Sequence, residues 1–150
     1  MRRIAIVMAV VALVAVGVAM AQDHSYVGSD QCKMCHKVQY NSWLETTHAK
    51  ATDAAKGSTD PAFEAACLKC HATNADEAMA GVGCEACHGP GSDYKKMSVM
   101  KDQEASIANG LIIPTQETCN QCHVDNGHSK AVDFAANKDN KAAIHEHKGE

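Results

Sequence analysis

Eight cysteines and four histidines in a fixed arrangement carry the first chemical information in this chain. The cysteines fall as Cys32/Cys35, Cys67/Cys70, Cys84/Cys87 and Cys119/Cys122, and each pair is followed at once by a histidine: His36, His71, His88 and His123. No cysteine is left over. Exported cysteine-rich chains usually form disulfides. A disulfide, however, needs no histidine beside its second cysteine, and zinc ribbons use paired Cys-x-x-Cys without one. Covalent haem attachment needs all three residues: the thiols add across the haem vinyl groups as thioethers, and the adjoining imidazole ligates the iron from one face. The pattern predicts four haem c groups with His36, His71, His88 and His123 as proximal ligands.

A low-spin electron-carrying iron needs a second axial ligand, whereas an open sixth position binds small molecules. Five histidines lie outside the motifs: His24, His48, His128, His145 and His147. On one continuous helix, His48 would stand about 18 Å from His36 and turned by roughly 120°, so it must serve another iron. His145 is favoured over His147 because it follows the apolar Ala142-Ala143-Ile144, which would dock the segment. His128 follows His123 too closely to share its iron easily, and reads as a ligand of a neighbouring haem or of none. His24 reads as part of a solvated terminus, or as a ligand within the chain or in an adjacent subunit. Met97 and Met100 offer thioether alternatives, although methionine is more often packing material. Trp43, Tyr26, Tyr40 and Tyr94 read as packing on macrocycles.

The elements that must hold these residues have little apolar material to work with. Residues 1–21 read as a signal peptide: Arg2-Arg3, an apolar run from Ile4 to Ala19, and the small-x-small Ala19-Met20-Ala21. A mature domain of residues 22–150 then contains only 15 Leu, Ile, Val and Phe among 129 residues. That is well below the roughly 20% under which a charged chain fails to fold by itself, so macrocycles are expected to fill the interior. Both arginines precede residue 22, leaving 12 Lys against 18 Asp and Glu, a formal charge of −6. The acidic balance disfavours nucleic acid and suits steering toward a basic redox partner.

The fold class expected is mainly α, with short helices and long loops packed around four c-type haems. Residues 32–50 contain no Gly or Pro and read as one helix. Asp60-Pro61 is a cap and first-turn pair for a helix carrying Ala65 to His71. A third helix is predicted from Val99 to Asn109, stopped by Gly110. Pro114-Thr115 opens a fourth around the last motif, and Asn137 or Asp139 a fifth reaching His147. The motifs begin at intervals of 35, 17 and 35 residues, the spacing of a doubled two-haem unit.

Three stretches go beyond the haem-binding residues themselves. Cys32-Lys-Met-Cys-His-Lys-Val-Gln-Tyr-Asn-Ser-Trp-Leu-Glu-Thr-Thr-His-Ala-Lys-Ala51 resembles the opening of the tetrahaem cytochrome c-554 family, as Gly81-Val-Gly-Cys-Glu-Ala-Cys-His-Gly-Pro-Gly91 resembles its third motif and Ile144-His-Glu-His-Lys148 its C-terminal segment. The resemblance implies a mainly helical fold with closely packed haem pairs. It also implies His48 as distal ligand opposite His123, His145 or His147 opposite His88, and an open, five-coordinate iron at His71. This chain departs from the family in shorter connections. The family's distal histidine for the first haem follows the third motif, and here Ser92–Met100 contains none. His24, His128, Met97, Met100 or another chain could take that position.

These readings imply a periplasmic or secreted electron carrier that works with donor and acceptor redox proteins and has no membrane span after signal cleavage. The alternatives are a nitric oxide reductase at a five-coordinate haem, and a subunit of a haem-stacked extracellular filament, which would be a homo-oligomer. Intact mass spectrometry of the matured protein tests the motif assignment: the chain should carry four haem masses, leave no thiol open to alkylation, and keep its mass on treatment with a disulfide reductant.

Overall fold

The computed structural model describes residues 23–147. The signal-peptide reading of residues 1–21 lies outside the described residues. Within them the chain is helical in short pieces. The α-helices are α1 (Lys37–Leu44), α2 (Ala51–Lys56), α3 (Leu68–His71), α4 (Cys84–His88), α5 (Met97–Met100), α6 (Gln103–Ala108), α7 (Gln116–Asn120) and α8 (Phe134–Asn137). Single 3-10 turns precede the first motif, lead into α3, and follow it twice, at Thr73–Ala75 and Glu77–Met79. The only β pairing among the described residues is isolated bridges, such as Ala72 with Ala80. No helix among them is long and apolar enough to cross a membrane.

Local side-chain hydrogen bonds decide where several helices begin and end. Over 32–50, where one helix is expected, the chain forms turns on either side of α1, and α2 begins only at Ala51. The break is at Thr46, whose hydroxyl donates to the Trp43 carbonyl at 2.7 Å and accepts from Ala49 N–H at 3.2 Å, an alternative to helical bonding that threonine offers readily. Asp60-Pro61 is a cis peptide in a loop rather than a helix start, and Glu64 caps the turn that enters α3. The Val99–Asn109 helix is split at Asp102, which caps α6 by accepting from Ala105 N–H at 3.0 Å. Gly110, at φ 98°, stops α6 as expected. Thr115 opens α7 in a reciprocal capping box with Thr118. The last helix lies earlier than expected, because Asp133 caps α8 and the chain leaves it at Lys138.

The interior is largely polar. The apolar side chains buried among the described residues are Tyr40, Ala55, Leu68 and Ala72, alongside Thr46, Thr52, Thr73, Glu85 and Ser106. The threonines act as clamps on backbone. Thr52 donates to the His71 carbonyl and accepts from Gly81 N–H. Thr73 donates to the Gly81 carbonyl at 3.0 Å and accepts from Gly83 N–H at 2.9 Å. Gly81 has φ 80°, and a Cβ there would lie 2.6 Å from the Ala49 carbonyl oxygen, so the turn before α2 and the chain before α4 meet only because no side chain intervenes.

Glu85, inside the third motif, joins three segments. It is 2% exposed, and its two oxygens accept from the N–H groups of Val27, Gly28 and Gly91 at 2.6 to 3.1 Å. A buried carboxylate is tolerated only when donors satisfy it in this way. Glu85→Gln would turn an amide N–H₂ toward at least one of those backbone donors and leave it unpaired. The substitution should destabilise the matured protein by about 2 kcal/mol, read as a lowered midpoint in guanidinium unfolding followed by far-ultraviolet circular dichroism.

Candidate haem sites

Each motif histidine faces one further side chain brought from elsewhere in the chain. The His123 ring lies 5.9 Å, centre to centre, from His48. The His71 ring lies 6.0 Å from His128, and the His88 ring 6.4 Å from His145. His36 Nε2 lies 3.1 Å from the Met100 sulfur. An iron with an imidazole nitrogen ~2 Å away on either side holds the two ring centres about 6 Å apart. The three histidine pairs match that spacing. The His36–Met100 contact is tighter, and the unbranched methionine side chain is the member of the pair with freedom to adjust.

The donor chemistry fits haem iron rather than a bare ion. Among the described residues no group of three or more His, Cys, Asp or Glu side chains converges as a metal ion without a macrocycle would require. What the chain supplies is opposed pairs, the two positions that a porphyrin leaves on its iron. The histidines are also oriented for it. His71 Nδ1 donates to the Ala51 carbonyl at 3.1 Å, His88 Nδ1 to the Ile112 carbonyl at 3.3 Å and His145 Nδ1 to the Glu146 carbonyl at 3.1 Å. A carbonyl can only accept, so each ring keeps its proton on Nδ1 and presents the Nε2 lone pair. Burial lowers the pKa of His48 and of His88, which favours the neutral imidazole that ligates metal. Between His71 and His128 lies a hollow of about 160 Å³ walled by Ala54, Ala55, Pro61 and Cys67, apolar as the face of a macrocycle requires.

The elements reach these positions in ways that the sequence suggested only in part. His48 sits in the turn after α1, held by the Val82 N–H on its carbonyl at 2.8 Å, and so spans to the fourth motif. The C-terminal segment docks on α1 through Glu146 N–H and the Ser42 hydroxyl at 2.7 Å. His145 thereby faces His88, while His147 turns to the Lys138 carbonyl at 2.8 Å. His128 crosses to the second motif. His24 is no solvated tail: its Nδ1 is 3.0 Å from the Asp93 carboxylate and its ring packs against the backbone of Gly110. His24 and Lys96 hold the Asp93 carboxyl well below the usual carboxylate range. Met97 is 59% exposed. The aromatic residues serve as anchors: Trp43 donates to the Val82 carbonyl and Tyr94 to the Gly89 carbonyl, both at 2.9 Å, and Tyr40 to Asp30.

The thiols reveal which motifs are neighbours. Cys32 and Cys84 share a hydrogen bond that pushes the Cys32 thiol up and pulls the Cys84 thiol down to about 7. Burial pushes the Cys87 thiol up to about 11, helped by nearby Cys119. Cys70 and Cys122 stand in disulfide contact with Cα atoms 5.4 Å apart, while the other six cysteines are free. A sulfur in a disulfide cannot also form a thioether, so at these two positions the bond and haem attachment are alternatives. The neighbour relations order the motifs first, third, fourth, second, and pair each motif with the one two places along the sequence.

This chain is similar to known c-type cytochromes. The family model described as cytochrome c554 and c-prime matches residues 31–89. Cytochrome c-554 of Nitrosomonas europaea is 28% identical over 145 aligned residues, covering 73% of this chain, and this chain spans 62% of that relative's length. The structure of the reduced state of cytochrome c554 from the same organism superposes with a TM-score of 0.61 at 24% identity, covering 83% of this chain and 86% of the other. That likeness bears on the fold: short helices joined by loops. The family implies c-type haem as the cofactor. The family model spans the first three motifs, and the likeness in fold extends over most of the chain: this chain is similar to the cytochrome c-554 family along both its motifs and its fold.

Proposed function

We propose that this chain is a periplasmic electron-transfer protein that holds four covalently attached c-type haems and exchanges electrons with redox partner proteins. Haem c supplies the chemistry, an iron that changes between the ferric and ferrous states. The chain supplies attachment through Cys32/Cys35, Cys67/Cys70, Cys84/Cys87 and Cys119/Cys122, and proximal ligation through His36, His71, His88 and His123. His48, His128 and His145 are the distal partners of His123, His71 and His88. Residues 1–21 direct export and are removed, leaving residues 22–150 as one domain.

The observation that carries this reading is the set of opposed imidazole rings, 5.9, 6.0 and 6.4 Å apart, each drawn from two distant segments. Fixed ligands on both sides of an iron leave no position for a substrate and little to reorganise when an electron arrives. The order of neighbouring motifs, first, third, fourth, second, supports a continuous series of redox groups rather than isolated ones. A reductase of nitric oxide would need an open iron, and the family resemblance suggested one at His71. The nearness of His128 to His71 argues against it in this chain.

Electron paramagnetic resonance of the oxidised, purified protein, with and without nitric oxide, tests the reading. Low-spin signals from the haems at His71, His88 and His123, unchanged by nitric oxide, are expected. A high-spin ferric signal that nitric oxide abolishes in the wild-type protein would reject the relay and favour the reductase. His128→Ala should create such a signal, because it removes the only imidazole facing His71 among the described residues.

A further inference from the structure

We infer that Met100 is the sixth ligand of the first haem, making that site the one thioether-ligated and highest-potential member of the set. The inference rests on the haem reading above and extends it to the position where the family's usual histidine is missing.

Three observations converge on Met100. The first is contact: its sulfur lies 3.1 Å from His36 Nε2, across 64 residues of sequence. Iron between them needs roughly 4 Å from nitrogen to sulfur, so the two atoms part by about 1 Å, well within the reach of methionine side-chain rotation. The second is anchoring. Met100 ends α5, whose start is tied down by Lys95 near Gln31 and by Lys96 on Asp93. Its other end is held where the Ser106 hydroxyl donates to the Val99 carbonyl at 3.1 Å and Asp102 caps α6. A sulfur placed at the end of a segment fixed on both sides is positioned rather than incidental.

The third observation is the engagement of every other donor. His48, His128 and His145 face His123, His71 and His88. His24 is bound to Asp93 and packed on Gly110, and His147 to the Lys138 carbonyl. Met97 is on the exposed side of the same helix. No imidazole outside the motifs remains for His36.

Thioether sulfur is a softer and weaker donor to ferric iron than imidazole, and it favours the ferrous state. One His/Met site among His/His sites is therefore the easiest to reduce. It stands at one end of the motif order, and His36 and Cys35 are exposed. Electrons entering elsewhere would settle at the first haem, which is then the exit to an acceptor.

The test begins with the wild-type holoprotein. Its oxidised spectrum should contain the weak red-edge charge-transfer band of thioether-ligated ferric haem, and a redox titration should resolve one component above the other three. Met100→His keeps six-coordination, so it should abolish the band and lower the potential of that one component only. Met97→Ala should change neither. Absence of the band from the wild type, or its survival in Met100→His, would overturn the assignment. A nitric oxide-sensitive high-spin signal that persists alongside an intact band would instead reject the relay reading while leaving Met100 in place, so the two failures are separable.

Discussion

Pairs of side chains that face each other at close range, as the two axial ligands of one proposed haem iron would, are the constraint on which the rest of this structure depends. Every such pair joins segments remote in sequence: His48 to His123, His71 to His128, His88 to His145 and His36 to Met100. A conventional domain would draw those segments together by apolar burial, but here only Tyr40, Ala55, Leu68 and Ala72 are buried apolar residues among those described. At about 1.5 to 3 kcal/mol for each large apolar side chain, so small a core cannot offset the conformational entropy of ordering more than a hundred residues. In the proposed haem-loaded protein, metal-ligand bonds and macrocycle faces would supply cross-links and apolar surface together, and folding and cofactor attachment would be one process.

A sparse core explains the polar interior. Where segments cross without apolar side chains between them, their backbone N–H and C=O groups meet at close range and need partners. Thr52 and Thr73 provide them, each hydroxyl donating to one carbonyl and accepting from one amide. Glu85 does the same for three amides around the third motif. The glycines near that motif belong to the same solution. At Gly89 a Cβ would meet the Gly110 carbonyl oxygen at 2.6 Å, so the backbone of α4 can lie against the end of α6 only without one. Close backbone approach replaces side-chain interdigitation.

Chemistry was more legible in the sequence than geometry. The four Cys-x-x-Cys-His motifs are legible as motifs, because the attachment and proximal ligation proposed for them are local and need only adjacent residues. That His48 could not share an iron with His36 was argued from the rise of an unbroken helix; the helix is broken at Thr46, and His48 lies beside His123 instead. The choice of His145 over His147 rested on the docking of the preceding apolar residues, and the segment does dock, through Glu146 and Ser42. The side chains that lie beside His71 and His36, namely His128 and Met100, were in the sequence only two among several candidates. Both depend on which motifs are neighbours, a long-range property that no local pattern encodes. Helix limits failed for a different reason: Thr46, Asp102 and Asp133 each use a side chain to start or stop a helix where periodicity alone would continue it or start it later.

The proposed ligation of the first haem by Met100 illustrates how ligand identity could change within a fixed segment of chain. The stretch after the third motif must still run past His36, because the Glu85–Gly91 bond and the Tyr94–Gly89 bond fix its start and Asp102 fixes its end. Within that constraint the residue that meets the iron is free to vary in chemistry, provided its reach is similar. Imidazole and thioether satisfy the same spatial demand and differ in how strongly they stabilise ferric iron. A single substitution in a conformationally fixed segment therefore changes the energy at one redox group without disturbing its neighbours. The Nδ1 bonds of His71 and His88 to carbonyls act on the same quantity more finely, by making those imidazoles stronger donors. In the proposed relay these ligand choices would set the direction along the redox groups, and the backbone clamps would keep the choices independent of one another.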